Sequence, residues 1–409
     1  MNSPDLRLAQ QAGSRRRKGS RAILLRMLRQ LRGAGLTLQE MGNEPMFFGD
    51  ETAPLQGQIE VQDLRVYRRV LLGGSIAAGE SYIDGDWTTP NLTVVLQLLA
   101  ENLELVDKIE SKFSWLTSPV NSVVHFFRNN SPSQARKNIS AHYDLGNDFY
   151  QGFLDERMLY SSAWYQTPHM TLEQAQEAKM RRLCEQLQLR AEDHLLEIGT
   201  GWGAMAEFAA REYGCQVTTT TISREQYDFA CQRIEKAGLT ERVTVLFEDY
   251  RALRGQYDKL VSIEMIEAVG KRYLPTFFKR CNQLLKPKGR MAIQAITIVD
   301  QRYKHYSRNV DFIQRYVFPG GFLPSINAMT ESMTRHTALV VRDLFDIGND
   351  YARTLYEWRE RVQRYWSTQN AQYNDERFRR LWVFYLCYCE AGFRARTIST
   401  VQLVAERQA

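Results

Sequence analysis

The sequence predicts a doubly wound α/β fold built on a parallel sheet, preceded by a smaller domain of mixed α+β structure. Residues 195–198 form an apolar run that carries Glu197 and leads into Gly199, Gly201 and Gly203. A buried parallel strand followed by a tight turn has this pattern, because glycine lets the backbone approach a ligand closely. Segments with helix and strand periodicity then alternate along the chain, as they do in doubly wound sheets.

The segments after this turn come in the order that such a sheet requires. Helical spacing covers residues 205–213 and stops at Gly214, and strand-like runs cover residues 216–222, 243–247, 257–263 and 290–298. The run 243–247 ends in Glu248 and Asp249. Ligands of doubly wound folds lie outside the carboxyl ends of the strands. These acids, with Glu197, therefore mark the predicted binding edge.

The glycine spacing distinguishes between two kinds of cofactor. A dinucleotide site needs G-x-G-x-x-G and an acid about 20 residues later. This chain has G-x-G-x-G with the acid before the first glycine, which resembles the first motif of S-adenosylmethionine-dependent methyltransferases and implies their Rossmann-like sheet. Glu197 would then meet the cationic amino acid portion of the cofactor. From the glycines alone, a strand-to-helix turn without a ligand is the alternative.

Composition places the chain among globular proteins of more than one domain. It has 409 residues, of which 44% are hydrophobic, and a net charge of +6. The six cysteines form no C-x-x-C pair and no metal-ligand group with the histidines, so we expect reduced, cytosolic thiols and no metal. No apolar run reaches the length of about 20 residues that spans a bilayer, which favours a cytoplasmic or peripheral protein.

Positive charge is concentrated near the amino terminus. No acid occurs between Asp5 and Glu40, and eight basic residues crowd positions 15–32: Arg15, Arg16, Arg17, Lys18, Arg21, Arg26, Arg29 and Arg32. Ile23, Leu24, Leu28 and Leu31 recur among them at helical spacing. A basic amphipathic helix of this kind binds anionic lipid or nucleic acid, and a disordered tail is the alternative. Because the charge lies at one end and no base-flipping motif is present, nucleic acid is the least favoured partner.

We divide the chain into a basic amphipathic arm at residues 1–40, a small domain at 41–125 and a large domain at 126–409. The Asn-Ser-Pro-rich stretch 129–133 is the predicted linker. Within the small domain we expect a strand at 56–61, a helix at 63–72 that Gly73 and Gly74 stop, and a helix at 92–107. The aromatic, arginine-rich stretch 351–388 predicts a covering helical layer.

Several motifs in a fixed order resemble the cyclopropane fatty acid synthase family, whose members use S-adenosylmethionine to modify double bonds of acyl chains in phospholipids. The resemblance runs from about residue 65 to the end. Its motifs are Gly79–Trp87, Asn138–Tyr150, Met158–Trp164, Thr221–Gln226, Glu248–Arg251, Met265–Gly270 and Tyr316–Pro324.

The resemblance implies which residues contact the cofactor. Besides Glu197 and the turn glycines Gly199, Gly201 and Gly203, these are Tyr160, Ser161, Thr221, Ile222 and Gln226, with Asp249 and Tyr250 lining the adenine pocket. Without a cofactor, Thr221 and Ile222 would cap a strand and Tyr250 would belong to the core.

The resemblance also implies a bicarbonate base, and here the chain departs from the family. Ring-forming members hold bicarbonate through a glutamate, a histidine, a tyrosine, and the backbone at a cysteine and an isoleucine. Glu267, Ile296 and Tyr351 match, whereas Ser162 replaces the cysteine and Gln294 replaces the histidine. A backbone N–H still donates at Ser162, but an amide at Gln294 cannot carry positive charge beside an anion.

This departure bears on the product. In the implied chemistry the alkene attacks the sulfonium methyl group, and aromatic rings such as Trp164, Tyr316 and Phe318 shield the resulting cation. Loss of a proton from the new methyl group closes a cyclopropane, whereas other routes of proton loss leave a methyl-branched alkene or a methylene. We therefore expect lipid methylation with a methyl-branched product rather than a ring.

Two alternatives stay open on the sequence. One is a methyltransferase of the same fold that acts on a soluble small molecule, and the other is a noncatalytic lipid-binding protein. The lipid interpretation implies an unsaturated phospholipid as partner at the inner face of the membrane. Relatives pair through the smaller domain, so a homodimer is a further expectation of the resemblance.

Overall fold

The computed structural model describes residues 19–111, 146–368 and 375–409, which form two compact units. The first contains residues 19–111 and 375–397, and the second contains residues 146–368 and 398–409. No helix in these described ranges combines the length and the apolar character needed to cross a membrane.

The first unit is a small sheet covered by helices. Its strands are β1 (Gly35–Glu40), β2 (Met46–Gly49), β3 (Gln56–Val61) and β4 (Trp87–Thr88), in the order β2-β1-β3-β4. β1 runs parallel to β3 and antiparallel to β2. The helices are 19–28, Arg65–Ile83, Leu92–Glu101, Leu103–Ser111 and Glu376–Arg394.

The second unit is the predicted doubly wound sheet. Its strands are β5 (His194–Ile198), β6 (Gln216–Thr221), β7 (Val243–Phe247), β8 (Tyr257–Ile263), β9 (Leu285–Ile298), β10 (Leu339–Asp346) and β11 (Ile398–Arg407). In the described residues the order is β10-β11-β9-β8-β5-β6-β7. The strands β5 to β9 are mutually parallel, whereas β10 and β11 add an antiparallel edge.

Helices cover this sheet and connect its strands. They are Asn147–Gln151, Leu172–Leu187, Ala204–Tyr213, Arg224–Lys236, Leu274–Leu284, Asp300–Tyr306, Phe312–Tyr316, Ile326–His336 and Gly348–Thr368. Local capping fixes several of them: Thr171 and Gln174 form a reciprocal capping box, and the Ser223 hydroxyl accepts from the Gln226 N–H. Parallel strands need such crossover helices, which explains why the helix and strand periods alternate in the sequence.

The structure corrects the predicted domain boundaries at both ends. The last six residues of the predicted arm form β1, and the helix at 19–28 buries Leu24 and Met27 within the first unit. The helix Glu376–Arg394, assigned to the large domain from sequence, also belongs to this unit. There Glu390 accepts a hydrogen bond from Thr93, at 3.0 Å. The predicted linker at 129–133 lies outside the described residues.

Two predicted helices have different bounds. The helix expected to stop at Gly73 and Gly74 continues as Arg65–Ile83, because Gly74 adopts φ 59° and ψ −144° and bends the helix without ending it. The helix expected at 92–107 is two helices that break at Asn102. Local periodicity located these segments but not their ends.

Candidate active site

A glycine turn at the end of β5 forms an open cradle. Gly199 has φ +101° and Gly201 has φ +52°, conformations that side chains rarely adopt. A Cβ on Gly199 would lie 3.1 Å from the Met265 side chain, whereas one on Gly201 would meet no described atom within 4 Å. The turn, which Gly203 completes before the helix Ala204–Tyr213, therefore leaves free space directly above the backbone.

Glu197 lies at the end of β5 with its side chain 2% exposed. One carboxylate oxygen accepts a hydrogen bond from the Thr219 hydroxyl at 2.6 Å, and Thr219 is in turn 2.7 Å from the Thr200 hydroxyl. Burial raises the pKa of Glu197 to about 8, partly opposed by the Thr219 hydrogen bond. A cation bound at this edge would favour the ionised form and lower that pKa.

Three residues at the end of β6 join in one hydrogen-bonded turn. The Thr221 hydroxyl donates to Gln226 Oε1 at 3.1 Å and accepts from the Ser223 N–H at 3.1 Å. Ile222 is half-buried between them. Thr221 thus orients Gln226, and both lie at the same sheet edge as Glu197. The turn caps β6, so this geometry is compatible with the structural and the cofactor-binding interpretation.

Asp249 and Tyr250 follow β7 and are both buried. Arg251 donates to Asp249 Oδ1 through its backbone N–H and Nε, and to Oδ2 through Nη2, at 2.7 to 2.9 Å. The ring of Tyr250 packs against Phe277, with centroids 5.5 Å apart. The Tyr250 hydroxyl is buried without a partner among the described residues. A buried donor of this kind needs a ligand or water to satisfy it.

Tyr160 and Ser161, which were also predicted to contact the cofactor, lie on the segment before the helix Leu172–Leu187. The Tyr160 ring packs against Tyr150, Trp358 and Phe318 at centroid distances of 5.4, 5.2 and 6.4 Å. The Ser161 hydroxyl accepts a hydrogen bond from Lys179 Nζ at 2.7 Å. Sequence reasoning missed Lys179, although an available signal was a charged residue at a position of the helix Leu172–Leu187 between the buried Ala175 and Leu183.

Three of the five residues predicted to hold bicarbonate converge instead on a protein carboxylate, Glu264. Its Oε1 accepts from the Ser162 N–H at 2.8 Å and from Gln294 Nε2 at 2.8 Å, and its Oε2 accepts from the Tyr351 hydroxyl at 2.8 Å. Burial raises the pKa of Glu264, while the donors at Gln294 and Ser162, the charge of Lys179 and the Tyr351 hydroxyl oppose that rise. The expectation that these groups surround a free anion is therefore corrected.

The orientation of Glu264 depends on an unusual backbone. The residue follows β8 directly and has φ +48°, a left-handed conformation that is uncommon outside glycine. Gln294 is itself fixed, since its Oε1 accepts from Gln402 at 3.0 Å and its Nε2 also donates to the Ser162 carbonyl at 3.1 Å. Sequence analysis missed Glu264, and the available signal was an acid at the carboxyl end of a predicted parallel strand.

Glu267 lies on the 3₁₀ turn Ile266–Ala268, just after Glu264 in the chain, and makes a separate contact. Its Oε1 accepts the Ile296 N–H at 2.5 Å, and its buried Oε2 has no partner among the described residues. Burial and the neighbouring charge of Glu264 raise the pKa of Glu267 to about 8. The structure thus joins Ile296 directly to Glu267, although all five residues were expected to share one anion.

The three aromatic candidates for shielding a cation lie in different surroundings. Phe318 packs on Tyr160, whereas Tyr316 is 36% exposed and packs on Phe312 at a centroid distance of 5.1 Å. Trp164 meets Phe345 edge-on at 5.7 Å. Of the three, Phe318 is the ring that touches a predicted cofactor contact. Within the described ranges, no group of three His, Cys, Asp or Glu side chains could hold a metal.

The parallel sheet, the open glycine cradle and the carboxylates along one edge define an S-adenosylmethionine-dependent methyltransferase. The chain belongs to the mycolic acid cyclopropane synthetase family, whose sequence model matches residues 130–403. The family resemblance and the fold class expected from sequence are thereby confirmed.

Relatives of known name extend over most of the chain. It is 40% identical over 349 residues to the tuberculostearic acid methyltransferase UfaA1 of Mycobacterium tuberculosis, covering 83% of this chain and 81% of that protein. It is 36% identical over 363 residues to the cyclopropane-fatty-acyl-phospholipid synthase of Escherichia coli strain K12, covering 85% and 87%. These relatives act in lipid or fatty acid modification by their names.

Solved structures agree with the fold of the second unit. The mycolic acid cyclopropane synthase CmaA1 complexed with SAH and CTAB matches with a TM-score of 0.63 at 29% identity, covering 66% of this chain and 98% of that one. The cyclopropane synthase MmaA2 from Mycobacterium tuberculosis matches with a TM-score of 0.62 at 29% identity and the same coverage. The cofactor of this family is therefore S-adenosylmethionine, which confirms the prediction from the sequence.

Proposed function

We propose that this enzyme methylates the double bond of unsaturated acyl chains in membrane phospholipids, and that Glu264 takes up the proton that is released, giving a methyl-branched product. The observation that carries this proposal is the Glu264 carboxylate among the donors of Ser162, Gln294 and Tyr351. A base that is part of the chain replaces the mobile anion implied by the family resemblance.

The residues present fit the cofactor. Among the described residues, a Cβ on Gly201 would meet no atom within 4 Å and the Tyr250 hydroxyl has no partner, and Glu197 is a buried carboxylate suited to an ammonium group. These groups, with Tyr160, Ser161, Thr221, Ile222 and Gln226, would hold S-adenosylmethionine along the edge of the sheet. When bound, it supplies an electrophilic methyl group for transfer to the alkene.

Glu264 has one acceptor position left for a proton. A carboxylate offers about four lone-pair positions. The contacts in the described residues use two on Oε1 and one on Oε2, so the remaining position is on Oε2 beside the Tyr351 hydroxyl. The proton lost from the methylated acyl cation would pass to this oxygen, while the hydrogen bonds hold the carboxylate still.

A fixed base favours one proton over the others. Glu264 cannot move relative to the acyl chain as a small anion could, because three donors and a left-handed backbone set its direction. Gln294 is neutral, so it does not add a positive charge that would hold a second anion. The relatives include one named a cyclopropane-fatty-acyl-phospholipid synthase and one named a tuberculostearic acid methyltransferase, so the family includes members that are not named for a cyclopropane product.

We propose that basic side chains near the amino terminus contact the membrane surface, and that the apolar face of the helix at 19–28 does not insert into it. The apolar face of the helix at 19–28 is used internally, since Leu24 and Met27 are buried. Arg26, Arg29 and Arg32 remain exposed. Basic side chains near an anionic leaflet contribute about 1 kcal/mol each to binding. Arg15, Arg16, Arg17 and Lys18 of the predicted arm lie outside the described residues.

Expression in cells with monounsaturated phospholipids tests the proposal. Mass spectrometry should show a one-carbon addition to the acyl chains, and NMR should show a branched chain without cyclopropane signals. A cyclopropane as main product would contradict the assignment of the product. Methylation of soluble amines in place of lipid would favour the small-molecule alternative, and an absence of any one-carbon transfer would favour the noncatalytic one.

A further inference from the structure

Lys179 is a buried cation that the proposed mechanism does not use. It lies on the helix Leu172–Leu187 with 0% of its surface exposed, among the buried apolar residues Ala175, Met180 and Leu183. Its Nζ donates to the Ser161 hydroxyl at 2.7 Å. Lysine is almost never fully buried without a partner, because removing its charge from water is costly. A compensating interaction is therefore expected.

The compensating charges are two carboxylates, neither of which forms a direct ion pair with Lys179 in the described part of the chain. The negative charges of Asp155 and Glu264 both favour the charged form of Lys179 and so raise its pKa, against the effect of burial. Asp155 is held by the backbone N–H groups of Leu159, at 2.7 Å, and Arg157, at 3.2 Å. Glu264 is held by the N–H of Ser162, the residue next to Ser161. Lys179 is thus hydrogen-bonded to Ser161, and the next residue, Ser162, binds the proposed base Glu264.

The geometry points to Lys179 as a positioning residue that keeps Glu264 ionised and directs the Ser161 hydroxyl proton toward the cofactor. This inference rests on the proposed role of Glu264 as base. An ammonium only donates, so the Ser161 oxygen must accept from it, and the single Ser161 proton is left for another acceptor. The amino acid carboxylate of the cofactor is an acceptor of the required chemistry.

The balance of charge around Glu264 explains why a buried ammonium is needed. Ionised Glu267 and ionised Glu264 repel each other, whereas Lys179 supplies the opposite charge that stabilises ionised Glu264. Tyr351 contributes only a hydroxyl donor. Burial lowers the pKa of Lys179 to about 8, opposed by Glu264 and Asp155. The lysine is thus charged at neutral pH and loses its proton in mildly alkaline solution.

The pH dependence of lipid methylation tests this inference. In the variant K179M, the acidic limb should move upward by about one pH unit or more, which lowers the rate by up to about tenfold at pH values on the acidic side of that limb. The conservative variant K179R should return the acidic limb toward its original position and shift the alkaline limb upward, since arginine stays charged. A uniform loss of rate with an unchanged pH profile in K179M would overturn the inference.

Two measurements do not depend on activity. The infrared difference spectrum of K179M minus wild type should contain an additional protonated-carboxyl band at neutral pH, over the bands that Glu197 and Glu267 contribute to both proteins, and the double variant K179M/E264Q should lack that additional band. Calorimetry should show weaker binding of S-adenosylhomocysteine to K179M, and recovery in K179R. If K179M folds poorly, the stabilities of the wild type, K179M, E264Q and K179M/E264Q against thermal unfolding are compared in place of the pH profile. Equal losses of stability from K179M in the wild-type and E264Q backgrounds would overturn the coupling between Lys179 and Glu264. A smaller loss in the E264Q background would support it.

These results separate the inference from the proposed function. If E264Q methylates lipid at the full rate, the proposed base is wrong. If E264Q is inactive but K179M has the wild-type pH profile and no new carboxyl band, only the role of Lys179 is wrong.

Discussion

The Tyr351 hydroxyl donates to Glu264 Oε2 at 2.8 Å, although the two residues are 87 positions apart in the chain. Tyr351 lies in the first turn of the helix Gly348–Thr368, and Glu264 lies just beyond β8. Two donors occupy Oε1, whereas Tyr351 is the single donor to Oε2 among the described residues. Oε2 is therefore the oxygen with an acceptor position left for a proton. The relationship places the proposed base at a fixed point in the site.

Replacing Glu264 by glutamine should abolish the base while keeping its size. General bases contribute about 10² to 10⁴ in rate. We expect E264Q to lose at least about 100-fold in lipid methylation, with binding of S-adenosylhomocysteine nearly unchanged by calorimetry. E267Q is the matched control, because its amide oxygen can still accept the Ile296 N–H, and its loss should be smaller. A larger loss in E267Q than in E264Q would exchange the roles of the two acids.

Removing the Tyr351 hydroxyl should destabilise the ionised form of Glu264 without moving its side chain. A hydrogen bond to a charged group contributes about 1.5 to 3 kcal/mol, so Y351F should lower the rate by about 10- to 100-fold and shift its acidic limb to higher pH. Y356F, on the exposed side of the same helix, is the control and should behave as wild type. Equal effects of Y351F and Y356F would contradict the assignment.

A side chain at Gly201 should fill the cofactor cradle. We expect G201V to bind S-adenosylmethionine more than about tenfold less tightly, a loss above 1.4 kcal/mol. Gly238 has a similar positive φ of +68° and empty surroundings, but lies after the helix Arg224–Lys236. G238V therefore imposes comparable backbone strain away from the turn. Calorimetry should show a loss of affinity only for G201V, and a similar loss for both would mean that strain alone weakens binding.

The stability of the cofactor-free protein should decrease as pH rises. The folded-state pKa of Glu197 is raised by burial to about 8, above the ordinary value of 4.5, so the folded state holds this proton more tightly than the unfolded state. The stabilisation is fully present below about pH 4.5 and is lost as pH rises through 8. E197Q should flatten the pH dependence of the unfolding temperature between pH 5 and 8. An identical slope in both proteins would contradict the assigned shift.

Charge removal should test membrane contact better than truncation. Deleting residues 1–35 would remove Leu24, Met27 and the start of β1, so the first unit would lose core contacts. We expect R26A/R29A/R32A to sediment less with anionic vesicles at low salt and to fold normally. R190A/R224A/R335A removes the same net charge from the second unit and serves as control. Equal vesicle binding by both triple variants would exclude a specific role for these three arginines, of which Arg26 lies in the helix at 19–28 and the other two follow it.

Local sequence patterns were sufficient to predict the sheet edge. The run at 195–198, the alternate glycines, the acid at the end of β5 and the acids after β7 predict a strand, a tight turn and a ligand edge from neighbouring residues only. The parallel direction of strands β5 to β9 follows from the alternation of helix and strand periods. These features depend on contacts within a few residues or one βαβ unit, which is why the sequence alone determined them.

Only the tertiary structure decided what fills the expected anion site. Ser162, Gln294 and Tyr351 come from separate parts of the chain, and they meet on Glu264 because that residue adopts a positive φ that no periodicity predicts. The structure also assigned the helix Glu376–Arg394 to the first unit and the apolar face of the helix at 19–28 to its interior. Such outcomes depend on which distant surfaces pack together, and a hydrophobic pattern states only that a face is buried.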